Sequence, residues 1–321
     1  MKIVITGGHG FLGQKLCDQL LDKGITLPSG DHHTVSSLVL SDIQASAAKP
    51  ADSRVTSVVG DSSDPAVLEQ LIDAEVNAVF HLAAVVSGQA EQEFDVGMRV
   101  NLDGTRHLLE RCKALGTQPL VVFASSTAVY GGALPETLTD QTTPVPQSSY
   151  GTQKLMGEML VNDLSRKGYI DGRALRLPTV VVRPGKPNAA ASSFASGIIR
   201  EPMNGESANC PVPASTRLWI TSPACVIDNI LHSTSIPAEL LGDSRSVALP
   251  GISVTVQTML DTLEQVVGTD ARQRVTLDYD PVIDAIVKTW PGNIATERAD
   301  ALGFTGDTDF SSIVRQHQQL N

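Results

Sequence analysis

Aromatic residues are scarce in this 321-residue chain, at 4% of the total. Its core must therefore be built from Val, Leu, Ile and Ala, and the 41% apolar content is enough for a large one. Cysteine is sparse as well: Cys17, Cys112, Cys210 and Cys225 show no CxxC spacing and no neighbouring histidine cluster. A disulfide or zinc framework is excluded on that basis, no metal is expected, and the thiols read as small core residues suited to a reducing cytosol. Positive charge is also in deficit, with 24 Lys and Arg against 35 Asp and Glu and a formal net charge of −11. Nucleic acid and anionic membrane surfaces are poor partners for such a chain. Long hydrophobic runs are missing too. The longest, Ala78 to Val86, is interrupted by His81 and cannot span a bilayer. Only Ile3-Val4-Ile5 separate Lys2 from the first glycines, too few for an apolar targeting region. The expectation is a soluble, cytoplasmic protein.

The first half alternates short β-branched runs with helical stretches, the pattern of a parallel sheet with crossover helices. Strands are expected at Lys2–Thr6, Val35–Leu40, Val55–Val59, Ala78–Leu82, Leu120–Ala124 and Arg173–Leu177. Each is nearly continuous in apolar residues, as required when helices cover both faces. Amphipathic segments at 10–23, 64–74 and 91–115 separate them, and another helix carries Tyr150. After Pro178 the character changes. Pro184, Pro187, Pro202, Pro211 and Pro213 break long elements, and small residues crowd Ala189–Ser196. A helix at 223–233, a last strand at 246–250 and a helix at 254–268 follow. The expected fold is α/β: a doubly wound parallel sheet, residues 1–177 plus about 223–250, with a smaller, interleaved C-terminal substrate-binding lobe, 178–222 plus about 251–321.

The first strand runs directly into Thr6-Gly7-Gly8-His9-Gly10-Phe11-Leu12-Gly13 and then a helix. In such a Rossmann-like unit the first glycine permits a tight turn and the second lets backbone approach a pyrophosphate. The third allows close helix–strand packing. Gly7, Gly10 and Gly13 take those roles, and Phe11 and Leu12 offer unpaired N–H groups to phosphate. Asp42 ends the second strand, where a carboxylate binds the adenosine ribose hydroxyls and repels a 2′-phosphate, which favours NAD over NADP. Asp61 and Ser62 are candidates for the adenine end. Leu82, Ala83 and Ala84 are small enough at the fourth strand's end to let a cofactor ribose lie close. His81 reads as a core or sheet-edge residue, and His9 has no base partner.

Ser125 and Ser126 end an apolar strand, and Tyr150 and Lys154 stand i,i+4 on one helix face. These residues supply what alcohol oxidation needs. A phenol becomes a useful base only if a nearby cation favours phenolate, and lowering its pKa by about three units takes roughly 4 kcal/mol. Lys154 is expected to do this and to bind the nicotinamide ribose. Ser126 then orients the substrate oxygen, with Ser125 structural. Asn101 is expected to bridge backbone and water behind Lys154, and Pro178 to abut the nicotinamide.

These motifs, with His81-Leu82-Ala83-Ala84, Asn101 to Thr105, Val129-Tyr130-Gly131 and Glu158, resemble the extended short-chain dehydrogenase/reductase superfamily over nearly the whole chain. The resemblance implies Ser126, Tyr150 and Lys154 as a catalytic trio, Tyr130 as structural, and a homodimer packed through helices at 91–115 and 148–167. The stretch Leu175–Asn188, the following small residues and Thr216-Arg217-Leu-Trp219 look like the group within it that oxidises C2 of D-erythronate, a four-carbon sugar acid. Ser192 and Ser193 leave space and donors for hydroxyls, and Arg183 or Arg217 could clamp a carboxylate with paired hydrogen bonds. The alternatives are an NDP-sugar 4-epimerase with the same trio and a non-catalytic NAD-binding regulator. The regulator is disfavoured because all three catalytic side chains are present.

Overall fold

A computed structural model describes residues 1–45, 51–185 and 190–319, so Pro187 and Ala189 lie outside the described residues. Seven parallel strands form the central sheet: β1 Lys2–Thr6, β2 Ser37–Asp42, β3 Val55–Val59, β4 Val76–His81, β5 Leu120–Ser126, β6 Asp171–Leu177 and β7 Ser246–Ala248. Their order is β7-β6-β5-β4-β1-β2-β3, with the reversal beside β1. Ligands of open α/β sheets bind outside the carboxyl ends of the strands at such a reversal. The ends of β1 and β4 lie together there, with Thr6 paired to His81. The observed strands match the expected ones to within a few residues at either end.

Two apolar layers sandwich this sheet. Ile3, Ile5, Leu38, Phe80 and Val122 point to one face, where the Phe11–Lys23 and Pro223–Ser233 helices contribute Leu16, Leu20, Val226 and Ile230. Val4, Val39, Val79, Val121 and Phe123 point to the other and meet Leu68, Leu108 and Val161. The alternation along each strand is the two-residue period of a pleated sheet covered on both sides. Ala299 and Phe304, near the end of the chain, join the first layer.

A separate core gathers Val181, Phe194, Ile198, Leu218, Ile220, Leu260 and Val314. It is framed by a three-stranded sheet of Thr179–Val180, Arg217–Thr221 and Ile252–Thr255. The prolines do not prevent a helix in this region: Ser193–Met203 is helical, with Pro202 in its final turn.

The helix expected over 91–115 is interrupted. Segments Ser87–Gln92 and Phe94–Gly97 are separated by Glu93 at φ −119°, ψ 69°, and Met98–Asp103 is wound as a π-helix before Gly104–Leu115 resumes α-helix. Widened turns of this kind recur at functional sites, and this one carries Asn101 into the interior, where it is 1% exposed. None of the described helices is long and apolar enough to cross a membrane.

Candidate active site

The glycine loop closes tightly on itself. Gly7 adopts φ +69°, Gly10 N–H donates to Gly7 O at 3.1 Å, and a Cβ on Gly13 would stand 2.4 Å from Gly7 O. Any side chain at Gly13 would therefore push the helix away from the strand. The cradle opens into a cleft of about 420 Å³ lined by Gly7, Gly10, Phe11, Leu12 and Gly13 at one end. Leu82, Ala84 and Pro178 also line it, and Ala83 sits directly beneath Gly7. The Asp42 carboxylate, at the end of β2, accepts from His9 N–H at 3.1 Å and Gln44 N–H at 3.2 Å. A narrow glycine cradle, a helix start and a carboxylate at the second strand's end suit a dinucleotide.

Ser126, Tyr150, Lys154, Arg183 and Ser192 line the same cleft. What brings the phenol to the strand end is a missing side chain. Ser148 caps the Ser149–Arg166 helix by accepting from Gly151 N–H at 3.2 Å, and a Cβ on Gly151 would lie 2.1 Å from Ala128 O. Only glycine lets this helix start against the Thr127–Val129 turn that follows Ser126. Gly157, two turns further on, meets the Phe123 ring in the same way.

Burial pushes the Tyr150 phenol up to about 12, against the Arg183 charge and a hydrogen bond with Ser126. Lys154, also buried, is pushed down to about 7, with Glu158 acting the other way. Its Nζ donates to Ala124 O at 2.8 Å and lies 4.7 Å from the Phe123 ring centroid and 5.7 Å from that of Tyr150. The charge that opposes burial at the phenol is that of Arg183, while Lys154, expected to favour phenolate, donates to a backbone carbonyl.

Behind the site lies a closed ionic network. Ser125 Oγ donates to Glu158 Oε1 at 2.5 Å, and Arg176 holds both Glu158 oxygens through Nε at 3.0 and 3.2 Å and Nη2 at 2.7 Å. Arg176 Nη1 donates to the Tyr130 hydroxyl at 2.7 Å. Burial works against the Arg176 charge, but Glu158 outweighs it and holds the guanidinium above its ordinary range. Ser125 and Tyr130 are thus tied into structure, as expected. Asn101 accepts from Val85 N–H at 2.9 Å and donates to Val85 O at 3.2 Å and Gln153 Oε1 at 2.8 Å, bridging backbone and the catalytic helix. His81 is a core residue, 2.6 Å from Thr6 Oγ1 and 3.0 Å from Thr105 Oγ1, and burial holds it down at about 3.

The two arginine candidates separate. Arg183 is half-buried in the cleft wall, donating through Nη2 to Ser192 Oγ at 3.3 Å, and among the described residues it has no carboxylate partner. Arg217 is exposed, reaches Ser253 Oγ at 3.3 Å and packs under Gly292, outside the cleft lining. Asp61 pairs with Arg99 and accepts from Ser63 N–H at 2.9 Å, and it too lies outside the lining, as do Ser62, Asp42 and Asn101. Ser193 lines a second, neighbouring cavity instead. Sequence reasoning missed Ser87, Thr127, Thr179 and Trp290, which all line the cleft. For Trp290 the available signal was rarity, since it is one of two tryptophans. The thiols take no part: burial pushes Cys17 and Cys225 to about 11 and Cys112 to about 12.

Known proteins resemble this chain over nearly its whole length. A D-erythronate dehydrogenase from Cupriavidus necator is 52% identical over 319 residues, covering 99% of this chain and 98% of its own. Another, from Haemophilus influenzae, is 45% identical over 98% of both. The crystal structure of a nucleoside-diphosphate-sugar epimerase from Agrobacterium tumefaciens superposes with a TM-score of 0.92 at 39% identity, covering 99% of this chain and 94% of that one. Residues 3–219 match the model of the NAD-dependent epimerase/dehydratase family. The chain belongs to that family, and NAD is its cofactor.

Proposed function

We propose that this enzyme oxidises C2 of D-erythronate, or a close four-carbon relative, to the 2-oxo acid. One observation carries the substrate class. The chain has 35 acidic residues, yet among the described residues none that lines the cleft is Asp or Glu, while Lys154 and Arg183 both are basic. A site so cleared of negative charge in an acidic protein suits an anionic substrate. Arg183, half-buried and without a carboxylate of its own among the described residues, is the group to receive the substrate's. The names of the two full-length relatives support the same class.

Gly7, Gly10, Phe11, Leu12 and Gly13 would hold the pyrophosphate and Asp42 the adenosine ribose, with Asp61 and Ser62 toward adenine. Leu82, Ala83, Ala84, Asn101, Lys154 and Pro178 would flank the nicotinamide half. NAD supplies the hydride acceptor. Ser126 orients the C2 hydroxyl, and Tyr150 takes its proton as the C–H electron pair leaves. Arg183 and Ser126 are the groups that oppose burial at Tyr150, so substrate anchoring and base strength share one side chain.

The A. tumefaciens neighbour's name makes NDP-sugar epimerisation the second reading. Stoichiometric NADH formation with D-erythronate supports the first. No NADH with any four-carbon acid, together with epimerised UDP-sugar, replaces it with the second. We also infer a homodimer, on the exposed apolar side chains Phe94 and Met159 of the two helical segments concerned. Light scattering at the monomer mass removes that inference.

A further inference from the structure

The chain's two tryptophans differ in one respect that bears on the cleft. Trp219 donates its Nε1–H to Leu249 O at 3.4 Å, as a buried indole is expected to. Trp290 Nε1 is equally shielded from solvent, but among the described residues no acceptor receives it. Trp290 stands in the turn after the Pro281–Val287 helix, its backbone N–H on Val287 O at 3.0 Å, and its ring packs partly on the second core. It lines the same cleft as Arg183, Ser192 and Tyr150. An indole N–H is a donor and nothing else, and a buried donor left unpaired is penalised. Trp290 thus lines the cleft with its N–H still shielded, and the missing acceptor is one that a ligand brings when the ring turns its N–H toward the cleft.

We propose that Trp290 is a specificity-determining residue, its Nε1–H hydrogen-bonding a carboxylate oxygen of the bound sugar acid beside the Arg183 guanidinium. This rests on the sugar-acid function above. A carboxylate only accepts and has about four lone-pair sites, so an arginine leaves room for a further donor. A sugar hydroxyl suits the position less well, because its own proton then needs an acceptor and the cleft lining has no acidic side chain. Trp290 also lies beyond residues 3–219, the span of the family match, as befits a residue that selects this substrate rather than one shared by the family.

Trp290→Phe keeps the ring and removes the donor. The expected result is a drop of roughly 10- to 100-fold in kcat/KM for D-erythronate, the scale of a hydrogen bond to a charged group. The loss falls mainly on KM, and the KM for NAD does not move. Competitive inhibition by erythritol, which has no carbonyl or carboxylate oxygen for the indole to meet, is unchanged. Wild-type kinetics in W290F, or equal weakening of acid and polyol, overturns the assignment. In the Trp219→Phe protein Trp290 is the sole indole, and its emission is expected to respond to D-erythronate. An active enzyme with no such response refutes the contact alone, whereas a wild-type enzyme inert to every four-carbon acid refutes the sugar-acid function beneath it.

Discussion

Glu158→Gln tests whether the network behind the catalytic strand holds the site together. Glu158 is 0% exposed and Arg176 nearly as deep, so the exchange leaves a guanidinium buried without its anion. The amide has one oxygen to offer where two received Arg176 and Ser125, and its NH2 opposes the guanidinium's own donors. Breaking a buried pair from one side costs about 3–5 kcal/mol, which for a chain of this size lowers Tm by roughly 4–7 °C. Removing both charges, as Glu158→Leu with Arg176→Leu, is expected to cost less than the single change, because no charge is then stranded. Differential scanning calorimetry with urea unfolding measures both. An E158Q melting point within about 2 °C of wild type refutes the network's role, as does a double variant less stable than the single one. The same change removes the charge that favours protonated Lys154, one helical turn away. The pH–rate limb belonging to that lysine is therefore expected to move to lower pH.

Tyr150→Phe is expected to abolish turnover while leaving NAD binding intact; substantial residual activity would show that another group takes the proton. Gly13→Ala places a methyl against Gly7 O and Gly8 Cα, both backbone, so a loss of about 1–3 kcal/mol in stability is expected together with weaker NAD binding, and wild-type behaviour in calorimetric titration contradicts it. His81 titrates at about 3 in the folded protein against 6.5 ordinarily. The unfolded chain binds the extra proton between those values, so stability is full above 6.5 and is lost as pH falls toward 3. In His81→Gln the slope of unfolding free energy against pH across that window should flatten, and an unchanged slope places the acid sensitivity elsewhere. Asp42→Ala should relax selection against NADP, and undiminished exclusion shows that another residue reads the ribose.

Local chemistry made much of this molecule legible. The glycine loop, the two-face apolar strands and the i,i+4 pair Tyr150 and Lys154 depend on neighbours in sequence, and all were found where spacing put them. Long-range relations were not legible. Nothing near Arg183 or Arg217 says which faces the cleft, because that is a tertiary outcome: Arg183 follows the Thr179–Val180 strand into the cleft wall, whereas Arg217 opens the parallel Arg217–Thr221 strand at its exposed end. The π-helix at Met98–Asp103 has no local sequence mark, and the partners its Asn101 meets, Val85 and Gln153, lie far along the chain. Spacing and resemblance point Lys154 at the phenol, but the Ala124 carbonyl that its Nζ meets comes from a strand thirty residues earlier.

The contact of Gly151 with Ala128 O makes the distance between hydroxyl and phenol a machined tolerance, set by a hard backbone stop. Side chains can flex around an error, but two main chains in contact cannot. Even a methyl at 151 would act as a shim, lifting the whole front end of the helix and its tyrosine away from the serine. A lineage could thus retune the far wall of the cleft for new substrates while this seating surface stayed locked, whereas a change at Arg183 would also reach the phenol it faces.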